Sequence, residues 1–322
     1  MRAVVRSFAF LLLFAATASA DLVRYWSGNA DDVRPRLHGP VLMLVGGGGD
    51  STAALQEAID RVRGCKRCET KVDVVVLRAS GADGYNPYFM EMNGVDSVLS
   101  MVITDRETSS RPDVVAAVRD AEVVYFAGGD QCNYIRWIKN TPVAEAVKRV
   151  YRRGGAIGGT SAGLAIQGEI VYDACPSQSA KSTEVLTDPY HVDVSLSRGF
   201  FAWPQMRGVI TDTHFQQRDR LGRLVTFLAR SYQNRPLRGL GVSEGTVVLV
   251  DRHGVAQVFG AGPAHLIRGD APARVERGQP LDYSGLRIWR FDTGETFHLR
   301  EWPQKPPKTI DVVAGKLSAD PY

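Results

Sequence analysis

The sequence predicts an α/β fold of the doubly wound class, with a mostly parallel sheet, helices on both faces and a β-rich C-terminal extension. Three observations predict it. Val41–Val45 is an apolar run that stops at Gly46-Gly47-Gly48-Gly49-Asp50 and gives way to a helical pattern over 52–63. Residues 72–77 are rich in β-branched side chains and apolar on both faces, as strands inside a parallel sheet are. Residues 122–126 lead into Gly128-Gly129-Asp130-Gln131, and the short run 156–158 leads into Gly159-Thr160-Ser161, so strand, glycine turn and helix recur along the chain.

The other elements follow in order. Residues 80–95 are rich in Gly, Asn and aromatic residues and read as a loop; 98–103 is a weaker strand, and 112–119 and 134–139 are short helices. Thr141-Pro142 has the chemistry of an N-cap and first helical residue, and Gly154-Gly155 closes that helix. A helical stretch runs from Ser161 towards residue 170, and 173–205 reads as an irregular insertion. Residues 209–211 form a strand entering Asp212-Thr213-His214. A helix over 215–232 follows, with Leu221, Leu224, Val225 and Leu228 on one face. Runs at 239–242, 246–250 and 255–259 make a strand meander. One catalytic domain is expected over 21–302, with a loosely ordered tail over 303–322.

Arg2 and Arg6, a short apolar run and Ala18-Ser19-Ala20 give residues 1–20 the pattern of a signal peptide, which predicts a secreted or periplasmic protein. Its loss removes two arginines and no acids, taking the formal charge from +4 to +2. That balance gives no bulk support to nucleic-acid or membrane-surface binding, and no later stretch is apolar enough for a transmembrane helix. The cysteines are Cys65, Cys68, Cys132 and Cys175, an even count that permits disulfides in an exported protein. Cys65 and Cys68 read as a local disulfide or two surface thiols, since no second ligand pair for zinc lies nearby. Cys132 and Cys175 are a second candidate pair. No metal or cofactor is expected.

The chemistry centres on Gly159-Thr160-Ser161-Ala162-Gly163, which fits the nucleophile elbow G-x-S-x-G. Small neighbours allow the sharp strand-to-helix turn that exposes a serine Oγ. The amides that follow, Ala162 first, stand where they can stabilise an oxyanion. Gly128 and Gly129 offer a second donor. Gly46–Gly49 binds an anion or simply turns the chain; the G-x-G-x-x-G and G-K-[ST] patterns are missing. Of the six histidines, His214 alone stands between a strand end and a helix, at the edge where parallel sheets bind ligands. A third member should be a carboxylate that orients the imidazole, and Glu244, Asp212 and Glu169 are the candidates. Arg218, Arg220 and Arg223 crowd the expected start of the following helix, against its dipole. They read either as carboxylate-recognising forks or as a solvated face.

These blocks, together with Gly241-Val242-Ser243-Glu244 and the His-Phe-x-x-Arg-x-Arg-x-x-Arg-Leu run from His214, occur in the order found in cyanophycinases. The chain resembles that family of serine peptidases, whose relatives include aspartyl dipeptidases. The resemblance implies a class I glutamine-amidotransferase-like fold, Ser161 as nucleophile, His214 as base and Glu244 as orienting carboxylate. It implies that Gln131, Asp212, Arg218, Arg220 and Arg223 line the substrate pocket. The implied substrate is cyanophycin, a poly-aspartate bearing arginines on its side chains, cleaved to β-aspartyl-arginine. Thr213 stands where cyanophycinases tend to carry Gln, and Asp50 where relatives often carry Glu. Thr213 points to a second reading, a peptidase of the same fold with another aspartyl or basic peptide substrate. An exported binding protein without turnover is the competing class. The oligomeric state, a homodimer included, is left open.

Overall fold

The computed structural model describes residues 22–175, 178–272 and 274–322. The expected signal peptide over 1–20 lies outside them. The chain is α/β with helices on both sides of its sheets, but it builds two sheets rather than one sheet with an appended meander. The first has nine strands, and its centre is parallel: Val95–Val102, Val72–Arg78, Val123–Phe126, Ala156–Thr160 and Val41–Val45 lie side by side. Antiparallel strands flank them, Arg24–Gly28 on one edge and Thr246–Val250, Val255–Gly260 and Thr296–His298 on the other.

Helix Thr52–Arg63 covers one face of this sheet. Ser51 caps its start and Gly64, at φ 75°, its end. Helices Pro112–Asp120 and Pro142–Arg153 cover the other, the latter capped by Thr141 and ended by left-handed Gly154 as its sequence predicts.

The second sheet has eight strands. Val209–Asp212 lies parallel to Leu237–Val242 and to Ile170–Tyr172, and the rest pair antiparallel. Each strand divides its side chains between two cores. Val209, Leu240 and Leu266 join the core shared with the first sheet, while Ile210 and Ile267 pack under helix Leu221–Ser231. The strand ahead of His214 therefore does not belong to the sheet that carries Ser161, as the single-sheet expectation required.

Further corrections follow from local pairing. Residues 303–322 are not a loose tail: Lys308–Val313 pairs with Tyr283–Phe291, burying Ile310 and Val312. The Pro and Lys residues around that short alternation hide it in the sequence. The helix after Ser161 is only Ala162–Ala165, because Ile170–Tyr172 leaves as a strand. Tyr85–Met90 and Ser182–Thr187 are short helices inside segments read as irregular. Among the described residues no helix is long and apolar enough to cross a membrane.

Candidate active site

The strand Ala156–Thr160 is threaded between Val41–Val45 and Val123–Phe126. A Cβ on Gly158 would overlap the Met43 carbonyl, and one on Gly159 the Phe126 carbonyl. The glycines before the serine are thus demanded by strand packing. Ser161 then turns the chain at φ 52°, ψ −112°, a conformation that costs an L-residue on the order of 1–3 kcal/mol. Its N–H donates to the Val45 carbonyl at 3.0 Å, and its own carbonyl accepts from Leu164 and Ala165. These bonds hold the strained turn and point Oγ out of the sheet.

His214 arrives from the second sheet, also at positive φ (46°). Its N–H donates to the Gly46 carbonyl at 2.7 Å, and the Phe215 N–H donates to Val242. Its Nε2 lies 2.7 Å from Ser161 Oγ, and its Nδ1 lies 2.5 Å from Glu244 Oε1. Glu244 is held in turn by its own N–H, which donates to Gln217 Oε1 at 2.8 Å. With Nδ1–H donating to Glu244, Nε2 is left free to accept from the serine hydroxyl. Asp212 and Glu169, the other carboxylates considered for this position, point elsewhere. Glu169 accepts from the Gly208 N–H and pairs with Arg198 and Arg235.

Gly46–Gly49 is a spacer between the two sheets. Gly46 donates to Thr246, and Gly47 accepts from Gly245. A Cβ on Gly47 would overlap the His214 ring, and one on Gly48 would crowd the Glu244 carboxylate. The loop's glycines therefore leave room for the imidazole and its acid partner. His214 is buried at 6% exposure, and burial holds its pKa below the ordinary imidazole value. The Glu244 hydrogen bond opposes that shift, while the Arg218 and Arg220 cations reinforce it.

Beside Ser161 opens a cleft of about 300 Å³, lined among others by Gly129, Asp130, Gln131, Thr213, Arg218 and Arg220. Arg223 also reaches it. Two expectations about this region change. Helix Leu221–Ser231 begins only after Arg220, so Arg218 precedes it and Arg220 is its N-cap residue; neither opposes its dipole from within the first turn. Asp212 does not line the cleft. It is buried and binds Arg223 through both oxygens, at 2.8 and 2.5 Å, with Arg220 at 3.6 Å. Arg223 also lies 5.0 Å over the Tyr172 ring. Asp212 therefore fixes the arginine wall from behind.

Arg220 donates to the carbonyl and hydroxyl of Thr213 at 2.9 and 3.0 Å, and burial brings its pKa down to about 10. Arg218, half exposed, is 3.7 Å from Glu244. Gly128 sits beneath the serine, where an added Cβ would stand 3.6 Å from the Ser161 Cβ, and Ala162 is buried.

Both cysteine pairs are bonded, Cys65 to Cys68 and Cys132 to Cys175. The second ties helix Gln131–Trp137 to the segment carrying Ala174, so it joins two parts of the cleft wall. Gln217, which accepts from Glu244, Ser179, which accepts from Arg223, and Tyr172, whose ring lies under Arg223, are site residues that the sequence does not single out. Gln217 lies inside the His-Phe-x-x-Arg block, and that is the one signal that marks it. Among the described residues, one group has metal-ligand character, Glu184, His191 and Asp193; none of its members lines the cleft.

An α/β frame with a serine at a strained strand end in contact with a histidine marks a serine hydrolase, and the family it matches makes the chain a serine-type peptidase. It belongs to peptidase family S51, whose model matches residues 42–258. Similar proteins include a cyanophycinase from Nostoc sp., 30% identical over 222 residues that cover 67% of this chain and 69% of the relative. The cyanophycinase of Geminocystis herdmanii is 25% identical over 268 residues, 80% of this chain and 93% of the relative. The crystal structure of a peptidase from an acI-B1 Actinobacterium superposes with a TM-score of 0.56 at 16% identity, over 82% of this chain and 98% of that one, and so shares its fold.

Proposed function

We propose that this peptidase is exported and hydrolyses cyanophycin to β-aspartyl-arginine through a Ser161–His214–Glu244 mechanism. The observation that carries the reading is the continuous hydrogen-bonded chain from Ser161 Oγ through the imidazole to Glu244. Oγ attacks the scissile carbonyl as Nε2 takes its proton. The resulting oxyanion meets the backbone N–H groups of Ala162 and Gly129. The imidazolium, stabilised by Glu244, passes that proton to the leaving amine, and the acyl-enzyme remains. Water, deprotonated by His214, then releases the acid and restores the serine.

The cleft chemistry supports the substrate. Each side-chain arginine of cyanophycin carries a free carboxylate, for which Arg218 and Arg220 supply guanidinium forks. Asp130 caps Cys132 with one oxygen and offers the other to the substrate guanidinium. Residues 1–20, and two disulfides that suit an oxidising compartment, support export. Thr213, bound to Arg220 where cyanophycinases tend to carry Gln, favours a second reading: another aspartyl or basic peptide as substrate.

The mature protein is expected to release β-aspartyl-arginine from cyanophycin, and Ser161→Ala to lose about 10⁶-fold in kcat. Equal rates for the two proteins would remove Ser161 from the mechanism. Labelling of Ser161 by a serine-directed phosphonate, with no action on cyanophycin, would leave the second reading in its place.

A further inference from the structure

The strand Val209–Asp212 has a second functional-looking end. Its C-terminal end delivers His214. At its start, four residues or roughly 13 Å of strand away, Gly208 lines a cleft of about 380 Å³, which adjoins a second of about 460 Å³. The two share Pro204, Arg207 and Arg235, and so form one groove. Arg198 lies along one part of it, and Arg238 and Arg300 along the other.

Against these five arginines the lining holds one acid, Glu169. Glu169 is already engaged: it accepts from the Gly208 N–H and shares its other oxygen between Arg198 and Arg235, each at 3.4 Å. Arg238 is clamped over Trp302 at 4.3 Å and donates to the Arg300 carbonyl, yet its buried Nε has no acceptor among the described residues. Burial and the neighbouring Arg268 disfavour its charge. Holding a cluster of like charges around one saturated carboxylate costs free energy, and an anion that entered would recover it.

The groove's form selects among anions. Its volume is that of a chain rather than a single ion, and Pro204, Pro236, Ala202 and Trp203 give it an apolar floor between the guanidinium groups. A peptide backbone packs on such a floor while its carboxylates meet planar forks on the walls. We propose that this groove is an exosite that binds an acidic peptide chain through its carboxylates, outside the catalytic cleft. The inference rests on the serine-peptidase class of the protein and not on which polymer it cleaves.

The test uses Ser161→Ala, which cannot turn a ligand over, and a fluorescein-labelled poly-L-aspartate of about ten residues, read by anisotropy. Binding is expected, weakened by added salt, and weakened at least tenfold by Arg207→Glu combined with Arg235→Glu. Arg218→Ala, in the catalytic cleft, is expected to leave it within twofold. The pair of groove substitutions in the otherwise native chain should keep both its melting temperature and the rate of phosphonate labelling at Ser161. Failure to bind, or binding lost with Arg218→Ala and kept in the groove variant, would overturn the exosite. Inorganic triphosphate competing at lower concentration than a peptide of equal charge would overturn the assignment to carboxylates.

Discussion

The two sheets contribute unlike things to one site. The first has a buried parallel centre, and it supplies the proposed nucleophile by local means: two glycines forced by strand packing and a strained turn at Ser161. The second carries His214, the proposed base, on a left-handed turn whose Phe215 N–H bonds to Val242 of the same sheet. His214 is tied to the first sheet by the bond from its own N–H to the Gly46 carbonyl, and the turn carrying Glu244 is tied there by the bond from the Gly245 N–H to the Gly47 carbonyl. A nucleophile can therefore be built within one motif, while the base depends on how two sheets are docked.

Substitutions can separate these contributions. The largest effect beyond loss of the serine itself is expected at Glu244→Gln, which keeps the shape of the side chain but not its charge. A fall in kcat of about 10⁴-fold with little change in melting temperature would match an orienting carboxylate; a fall below tenfold would remove Glu244 from that role. Asp212→Asn should act on the second sheet instead. It removes the whole charge facing buried Arg223 and turns one of the two acceptor oxygens into a donor, and is expected to cost about 3–5 kcal/mol in denaturant unfolding. Unchanged stability would refute Asp212 as the anchor of the arginine wall.

Gly47→Ala tests the docking itself. The added methyl would displace the imidazole without touching Ser161, and about 10²-fold in kcat is the expected price of that shift. Phosphonate labelling should slow in parallel. The smallest effect is in pH dependence. Because the folded protein holds His214 below the usual value of about 6.5, it binds fewer protons than the unfolded chain. Stability is therefore present above about pH 6.5 and declines as pH falls below it. The acid limb of kcat/KM should have its midpoint below 6.5, and Arg218→Ala, which removes a cation beside the ring, should move that midpoint upward. A midpoint above 6.5 would contradict the burial of the imidazole.

What the sequence discloses follows the same division. Val41–Val45 and Val123–Phe126 are legible because they are apolar throughout and lead into glycine turns, while Val95–Val102, with Asp96, Ser97 and Ser100, stands out less; Ser161 is legible because its elbow is contiguous. His214 is legible from its place at a strand end, although the strand belongs to the other sheet. Strands that serve two cores at once have no periodicity that tells which partner they take, so the meander reads as one unit although Leu237–Val242 joins the second sheet and Thr246–Val250 and Val255–Gly260 join the first. Glu244 is chosen among three carboxylates only through family resemblance. Asp212 is misplaced for a physical reason: its partners, eight and eleven residues on, meet it only because the helix starts at Leu221. The tail over 303–322 fails because two buried residues, Ile310 and Val312, are too short a pattern to stand out.

The turn at Ser161 also limits what evolution can try there. At φ 52° a second substituent on Cβ adds crowding, so threonine would meet a steep steric penalty, whereas cysteine has the unbranched shape of serine. A lineage carrying this elbow has an open route to a thiol nucleophile and a closed one to a secondary alcohol.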